Sequence, residues 1–229
     1  MSAGPLRLVI FDVDGTLIDS QAHIYASMQA AFASVELEIP DRATTLGVVG
    51  LSLPIAMARL VPTASLSVQN QMVDVYKDAF MTLRLSDQGK AMSPLYPGAR
   101  DLLEDLSRQD DVLLGIATGK SRRGWDHLQE MHQFGGLFQT IQVADDHPSK
   151  PHPSMVETCL RETGVEVRNA VILGDTSFDI DMGVAAGINT IGVAWGYHPV
   201  ADLAASGATH IVEAFPEVPG VLSQIWSAK

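Results

Sequence analysis

From Pro94 onward, short apolar runs alternate with helical patterns, and that rhythm admits few folds. Strands are expected at 112–117, 140–143, 170–173, 190–194 and 210–212. Helices are expected around them at 99–107, 123–131, 153–163, 180–186, 201–205 and 217–226, with Gly164 and Gly187 placed as helix stops. One further strand comes early, in the apolar run Leu6, Leu8, Val9, Ile10, Phe11. Alternation of this kind implies an α/β fold, a Rossmann-like parallel sheet covered on both faces by helices.

The stretch between the first strand and Pro94 breaks the rhythm. Ile24, Met28, Ala31, Phe32 and Val35 recur at helical spacing and predict a helix over about 20–35, broken by Pro40 and Asp41. Two more helices are expected at 53–60 and 66–85, the last with Met72, Tyr76, Ala79, Phe80 and Leu83 on one face. Residues 47–50, Gly-Val-Val-Gly, read as a loop because of their two glycines. No strand is expected in this block. It therefore reads as a separate α-helical domain over 19–92, inserted into an α/β core made of 1–18 and 93–229. The linkers fall near 15–19 and 92–97, where Pro94, Pro97 and Gly98 mark the return.

In an open parallel sheet, ligands bind beyond the carboxyl ends of the strands. The first strand ends in Asp12-Val13-Asp14-Gly15-Thr16-Leu17. Residues i and i+2 of a strand face the same way, so two carboxylates are held together, and like charges so held need a cation or a shared proton. Gly15 lets the chain turn with positive φ. The 112–117 strand ends in Thr118-Gly119-Lys120-Ser121, the 140–143 strand leads to Asp145, Asp146 and Lys150, and the 170–173 strand ends in Gly174-Asp175 with Asp179 beyond. Each has an ordinary alternative. Thr118, Asp175 and Asp179 suit helix starts, and Lys150 suits a solvated loop. The convergence of all of them on one sheet edge is what points to a site.

The groups define a chemistry. A few clustered carboxylates suit Mg²⁺, which keeps waters and commonly meets a substrate phosphate. An aspartate can attack phosphorus to form an aspartyl phosphate. A hydroxyl, backbone N–H groups and an ammonium neutralise the phosphoryl oxygens, and a second aspartate can move protons. The net charge of −12, with 15 Lys and Arg against 27 acids, argues against nucleic acid as a partner. It leaves room for a small phosphorylated metabolite where a metal and a local lysine reverse the field. The single cysteine, Cys159, reads as a buried hydrophobe. The start Met1-Ser2-Ala3-Gly4-Pro5 lacks a signal-peptide pattern and no stretch is apolar enough for a membrane span, so a cytoplasmic protein is expected. Oligomeric state is not encoded in any readable way.

Asp12-Val13-Asp14-Gly15-Thr16-Leu17 resembles the first signature of the haloacid dehalogenase superfamily. Thr118, Lys150 and Gly174-Asp175 with Asp179 resemble its second, third and fourth signatures, in order and across essentially the whole chain. Tyr96-Pro97-Gly98, Ala117-Thr118-Gly119-Lys120-Ser121 and Asp145-Asp146 followed by Lys150-Pro151-His152-Pro153 are similar to the phosphoglycolate phosphatase-like branch. The resemblance implies a Mg²⁺-dependent phosphatase with Asp12 as nucleophile and Asp14 as general acid and base, the backbone carbonyl of Asp14 also binding metal. It implies that Thr118, Lys150 and the N–H of Gly119 hold the phosphoryl group. Lys150 also shields Asp12, Asp175 binds metal, and Asp179 orients the metal site, directly or through water. The 19–92 block then corresponds to a cap that closes over the site.

Within that superfamily, the dehalogenating members lack an acid at the position of Asp14. The phosphonatases use a cap lysine, and this chain has none between Gly15 and Tyr76. The sugar-phosphate mutases use a cap arginine where Gly50-Leu51-Ser52-Leu53 places Leu53, leaving Arg42 or Arg59 as substitutes or as plain surface residues. A pyrophosphate or nucleotide hydrolase and a catalytically silent binding protein remain as other readings. His23 is expected either to meet the leaving group or to be a hydrogen-bonded structural residue. Asp145, Asp146 and His147 are expected to shape their loop or to support the site from just behind it, and Trp195 to pack in the core or at the cap interface.

Overall fold

A computed structural model of the chain describes residues 4–85 and 92–227. The start at 1–3 and residues 86–91 of the expected insertion lie outside them. Six strands form one parallel sheet: β1 (Arg7–Phe11), β2 (Val112–Thr118), β3 (Thr140–Val143), β4 (Ala170–Gly174), β5 (Asn189–Val193) and β6 (His210–Val212). Their order across the sheet is β3-β2-β1-β4-β5-β6, so β1 lies centrally, paired with β2 on one side and β4 on the other. The sheet order reverses at β1, which is where such folds open a crevice at their strand ends.

Alternation along β1 builds two cores. Val9 and Phe11 face one cluster, which holds α5 (Ala99–Ser107), α6 (Arg122–Met131) and α10 (Val218–Ser227) against the sheet. Leu8 and Ile10 face the other, with α7 (Ser154–Thr163) and α8 (Ser177–Ala185). Burial on both faces is why these strands read as continuous apolar runs rather than alternating ones. The short α9 (Val200–Ala205) packs beside β5 and β6.

Among the described residues, four helices lie between β1 and α5: α1 (Gln21–Ala33), α2 (Arg42–Leu46), α3 (Leu53–Leu60) and α4 (Leu66–Leu85). They share a core of their own around Ile24, Met28, Phe32, Met57 and Met72. The chain enters and leaves this helical block through two adjacent segments. Asp19 N–H donates to Pro94 O and Tyr96 N–H donates to Leu17 O, both at 2.9–3.0 Å, and Ile18 bridges to Leu95 and to Asp14.

Most expected elements lie within a residue or two of the observed ones. Helix α2 was not legible: it is one short turn-and-a-half, started by Asp41, whose carboxylate accepts from Thr44 N–H at 2.9 Å. Helix α8 starts at Ser177, earlier than the 180 expected from apolar spacing, because the Asp179 carboxylate reaches back to the Thr176 N–H at 3.1 Å and nucleates the first turn. Among the described residues, no helix is long and apolar enough to cross a membrane. Cys159 is buried, its thiol pushed up to about 12 by burial, as a packing residue should be.

Candidate active site

The carboxyl ends of β1, β2 and β4 and the loop after β3 converge on one small volume. Asp12, at the end of β1, and Lys150, from the loop before α7, are each 1% exposed, while Asp175 and Asp179 are fully buried. The Lys150 ammonium donates to Asp12 Oδ1 and to Asp179 Oδ1, both at 2.6 Å. Burial alone would pull that ammonium down, but Asp12 and Asp179 outweigh it and hold Lys150 above the ordinary lysine value. Asp179 is engaged on its other oxygen too, accepting from Thr176 Oγ1 at 2.6 Å. Asp175 accepts from Thr16 Oγ1 at 2.9 Å and from the Tyr197 N–H at 2.8 Å.

Three carboxylates crowd this volume. Asp12, Asp175 and Asp179 present oxygens all within 4.8 Å of one another, and the one ammonium among them cannot balance three anions. Asp12 Oδ2 is buried with no hydrogen-bond partner among the described residues. Burial pushes the Asp12 carboxyl up to about 7, against the pull of Lys150 and with the help of Asp179. Burial, and after it Asp12 and Asp179, push Asp175 well above its usual range. An unpaired buried oxygen among excess carboxylates is the donor set a hard divalent cation satisfies.

Gly15 makes the close approach possible. It adopts φ +87°, and a Cβ there would lie 2.2 Å from Asp175 Oδ2. Only a glycine both takes that conformation and lets the β1 turn sit against Asp175. The Trp195 indole donates to the Thr16 carbonyl at 3.0 Å and packs on Phe215 and Tyr96, bracing the same turn from the core.

Asp14 is arranged differently from Asp12. Its carboxylate accepts a short hydrogen bond from Ser20 Oγ, and the Lys120 ammonium meets its other oxygen at 2.8 Å. Ser20 Oγ in turn lies 3.1 Å from the Tyr197 hydroxyl. Asp14 is thus aimed away from the three-carboxylate cluster, toward a cavity of about 390 Å³ that it lines together with Asp12 and Gly119. Thr118 is buried at the end of β2, and its hydroxyl oxygen accepts from the Lys120 N–H at 3.2 Å.

The helical block covers this cavity. The loop before α3 crosses Gly119, where a Cβ would lie 2.7 Å from Gly50 O and 2.9 Å from Leu51 O. The loop is held down by the Ser52 N–H, which donates to Ser149 Oγ at 2.8 Å, and by Val48, Leu51 and Ala56 packed on Phe178 of α8. Gly119→Ala should therefore lift the loop from the core at a cost of about 1–3 kcal/mol, the usual range for overpacking. Faster amide hydrogen exchange across 47–52 together with a lowered Tm is the expected result, and unchanged exchange would count against it.

The sequence singled out Asp12, Asp14, Thr118, Gly119, Lys150, Asp175 and Asp179, and the structure brings all seven to one edge. Asp14 stands apart in that its side chain is outside the metal-competent cluster. Sequence reasoning gave no role to Ser20, Lys120, Thr16 and Tyr197, which hold Asp14 and Asp175; Thr16 and Lys120 had a signal, their places beside Asp14 and Thr118 in the two motifs. His23 is structural: it is buried, stacks on Phe80 with centroids 3.7 Å apart, and bonds Ser93 Oγ and Phe80 O. Arg42 and Arg59 stack on Tyr25 and Phe178 and do not line the cavity, whereas Leu53 does. Asp145 accepts from the Arg122 N–H, Asp146 pairs with the Arg122 side chain, and His147 bonds Ser154 and Gln142, so this segment shapes its loop, while Asp145 also lines the cavity.

Comparison with known proteins agrees with the geometry. The pattern of the haloacid dehalogenase-like hydrolase family matches residues 9–193. A probable phosphatase, IndB, of Dickeya dadantii is 30% identical over 217 residues, covering 93% of this chain and 92% of that protein. A phosphoglycolate phosphatase of Pseudomonas fluorescens is 26% identical, covering 94% and 80% of the two chains. Among solved structures, a haloacid dehalogenase-like hydrolase of Streptococcus pneumoniae superposes with a TM-score of 0.80 at 25% identity, covering 94% of this chain and 98% of that one.

Proposed function

Since the chain belongs to the haloacid dehalogenase-like hydrolase family, we propose that it is a Mg²⁺-dependent phosphatase that hydrolyses a small phosphate monoester through an aspartyl phosphate on Asp12. The observation that carries this reading is Asp12 itself: one carboxylate oxygen is held by Lys150 while the other is buried without a partner beside two more carboxylates. Asp12, Asp175 and the backbone carbonyl of Asp14 would hold the ion, with Asp179 steadying the set from behind Lys150. When bound, Mg²⁺ supplies positive charge to the phosphoryl oxygens and lets the carboxylates ionise together.

The chain's own residues divide the work. Asp12 attacks phosphorus and the ester oxygen leaves. Asp14, held by Ser20 and Lys120 and facing the cavity, protonates the leaving oxygen and then takes the proton of the water that cleaves the acyl phosphate. Thr118, the Gly119 N–H and Lys150 neutralise charge on the transferring group. The helices of 19–92 act as a cap, and the loop over Gly119 excludes water while the site is closed.

The test is inorganic phosphate release across a panel of monoesters, phosphoglycolate included, with a pyrophosphate arm and an arm for bisphosphate-dependent sugar-phosphate isomerisation. Release from a monoester with Mg²⁺ and its loss in EDTA are expected, with no isomerisation. Mg²⁺ should also raise the Tm, since it binds the folded carboxylate cluster and not the unfolded chain; at 100-fold excess over Kd the gain is about 2.7 kcal/mol. A Tm indifferent to Mg²⁺ would refute the metal assignment, and silence across the whole panel would refute the phosphatase reading.

A further inference from the structure

The cavity over Asp12 has a second pole. Helix α4 turns Lys77, Phe80, Met81 and Arg84 toward it at i, i+3, i+4, i+7 spacing, and α6 presents Arg123 from its first turn. In a chain with only 15 Lys and Arg and a net charge of −12, four of these cations line this one cavity: Lys77, Arg84, Lys120 and Arg123. Lys120 is committed to Asp14. The others pair with no carboxylate among the described residues. Arg84 Nε is buried with no acceptor, Arg123 meets the weakly accepting Met81 sulfur at 2.6 Å, and the nearby His127 Nε2 is likewise buried and unpartnered. The Arg84 guanidinium is held below its ordinary value by burial and then by Arg123, so the two cations are close enough to repel each other.

Arg123 is exposed and Arg84 half-buried; a guanidinium nitrogen buried without an acceptor, as Arg84 Nε is, is costly, and a bidentate acid is the group that satisfies such a fork. The same cavity also has apolar and aromatic walls, Ile24, Val49, Leu51, Tyr76 and Phe80 among them. At about 390 Å³ the cavity falls in the range of roughly 300–1,000 Å³ that takes ligands much larger than a two-carbon ester.

We propose that Arg84 and Arg123 form a second anion subsite, and that the substrate is a phosphate monoester with a bulky, partly apolar body ending in a carboxylate or phosphate. This rests on the phosphatase reading and extends it from reaction to substrate class. The phosphoryl group goes to Asp12, the body lies against Tyr76 and Phe80, and the distal acid bridges α4 and α6. That contact ties the helical block to the sheet domain, so the acid also favours closure.

The probes are phenyl phosphate, 4-carboxyphenyl phosphate and 4-(phosphonomethyl)phenyl phosphate, which share a body and differ in the distal group. With Mg²⁺, at least one acid-bearing ester should exceed phenyl phosphate at least tenfold in kcat/KM, mainly through KM, and the preferred acid identifies the distal group. In Arg84→Gln and Arg123→Gln that ratio should fall toward one, while Arg84→Lys retains part of it. Calorimetry on the Asp12→Asn protein with Mg²⁺ reads the same preference as affinity, without turnover. Equal affinity and turnover for acid and neutral esters, or Gln variants that keep the ratio, would overturn the subsite. Should none of the esters be hydrolysed while the binding preference persists, the phosphatase reading fails and the subsite stands. Hydrolysis of all three without preference gives the reverse.

Discussion

Asp12→Asn should lower phosphate release by roughly 10³-fold or more while leaving the metal-free fold at least as stable as the wild type. The amide keeps the shape of the side chain and cannot form the acyl phosphate. Its effect on stability follows from crowding. Asp12 is buried, is pushed up to about 7, and shares its space with Asp175 and Asp179, while one ammonium serves all three. Removing one anion reduces the excess, so a lowered activity and an undiminished Tm should appear in the same protein. The rise in Tm on adding Mg²⁺ should shrink at the same time, because the cation loses a ligand. Phosphate release and thermal melts with and without Mg²⁺ check all three. A variant that keeps turnover would remove Asp12 from the chemistry, and one that melts far below the wild type without metal would mean that Asp12 and Lys150 stabilise the fold as a pair.

Lys150→Met should do the opposite to stability. The ammonium is buried and is the shared donor to Asp12 and Asp179, so its loss leaves two desolvated carboxylates facing each other. Breaking a buried pair in this way costs about 3–5 kcal/mol, and here the stranded charges are two. Loss of a fixed donor to the transferring group adds a fall of roughly 10²–10³ in kcat. Urea denaturation and single-turnover phosphate release separate the two effects. Mg²⁺ should restore part of the stability by supplying charge to the same carboxylates, yet little of the rate. A variant with wild-type stability in EDTA would show that Asp12 and Asp179 are held by something other than Lys150.

The site was legible wherever it follows an apolar run. Asp12, Thr118 and Asp175 each sit at or just beyond the end of a strand, and a parallel sheet carries such positions to one edge whatever the loops do. Lys150 and Asp179 were legible by their place after β3 and β4. Side-chain direction was not. Nothing in the spacing of Asp12 and Asp14 tells that one turns to Lys150 and the other to Ser20 and Lys120, since the divergence is made by the turn at Gly15. Arg84 and Arg123 escaped for a different reason: they belong to helices far apart in the chain, and only the docking of the helical block on the sheet brings them together. Helix α2 escaped because its start depends on one capping carboxylate rather than on a periodic apolar face.

The paired crossings at Leu17–Asp19 and Pro94–Tyr96 have a consequence for how such a protein can change over generations. Departure and return of the chain are neighbours, joined to each other by backbone hydrogen bonds that do not depend on side-chain identity. Whatever lies between them is therefore mounted like a cassette in a single slot. Drift, shortening or exchange of α1–α4 should then leave the register of β1 against β2 and β4 in place, since that register is set by pairing within the sheet, while contacts such as Ser20 to Asp14 would have to be rebuilt. Selection for a new substrate can work on one part of the polypeptide while selection for the reaction holds the other still.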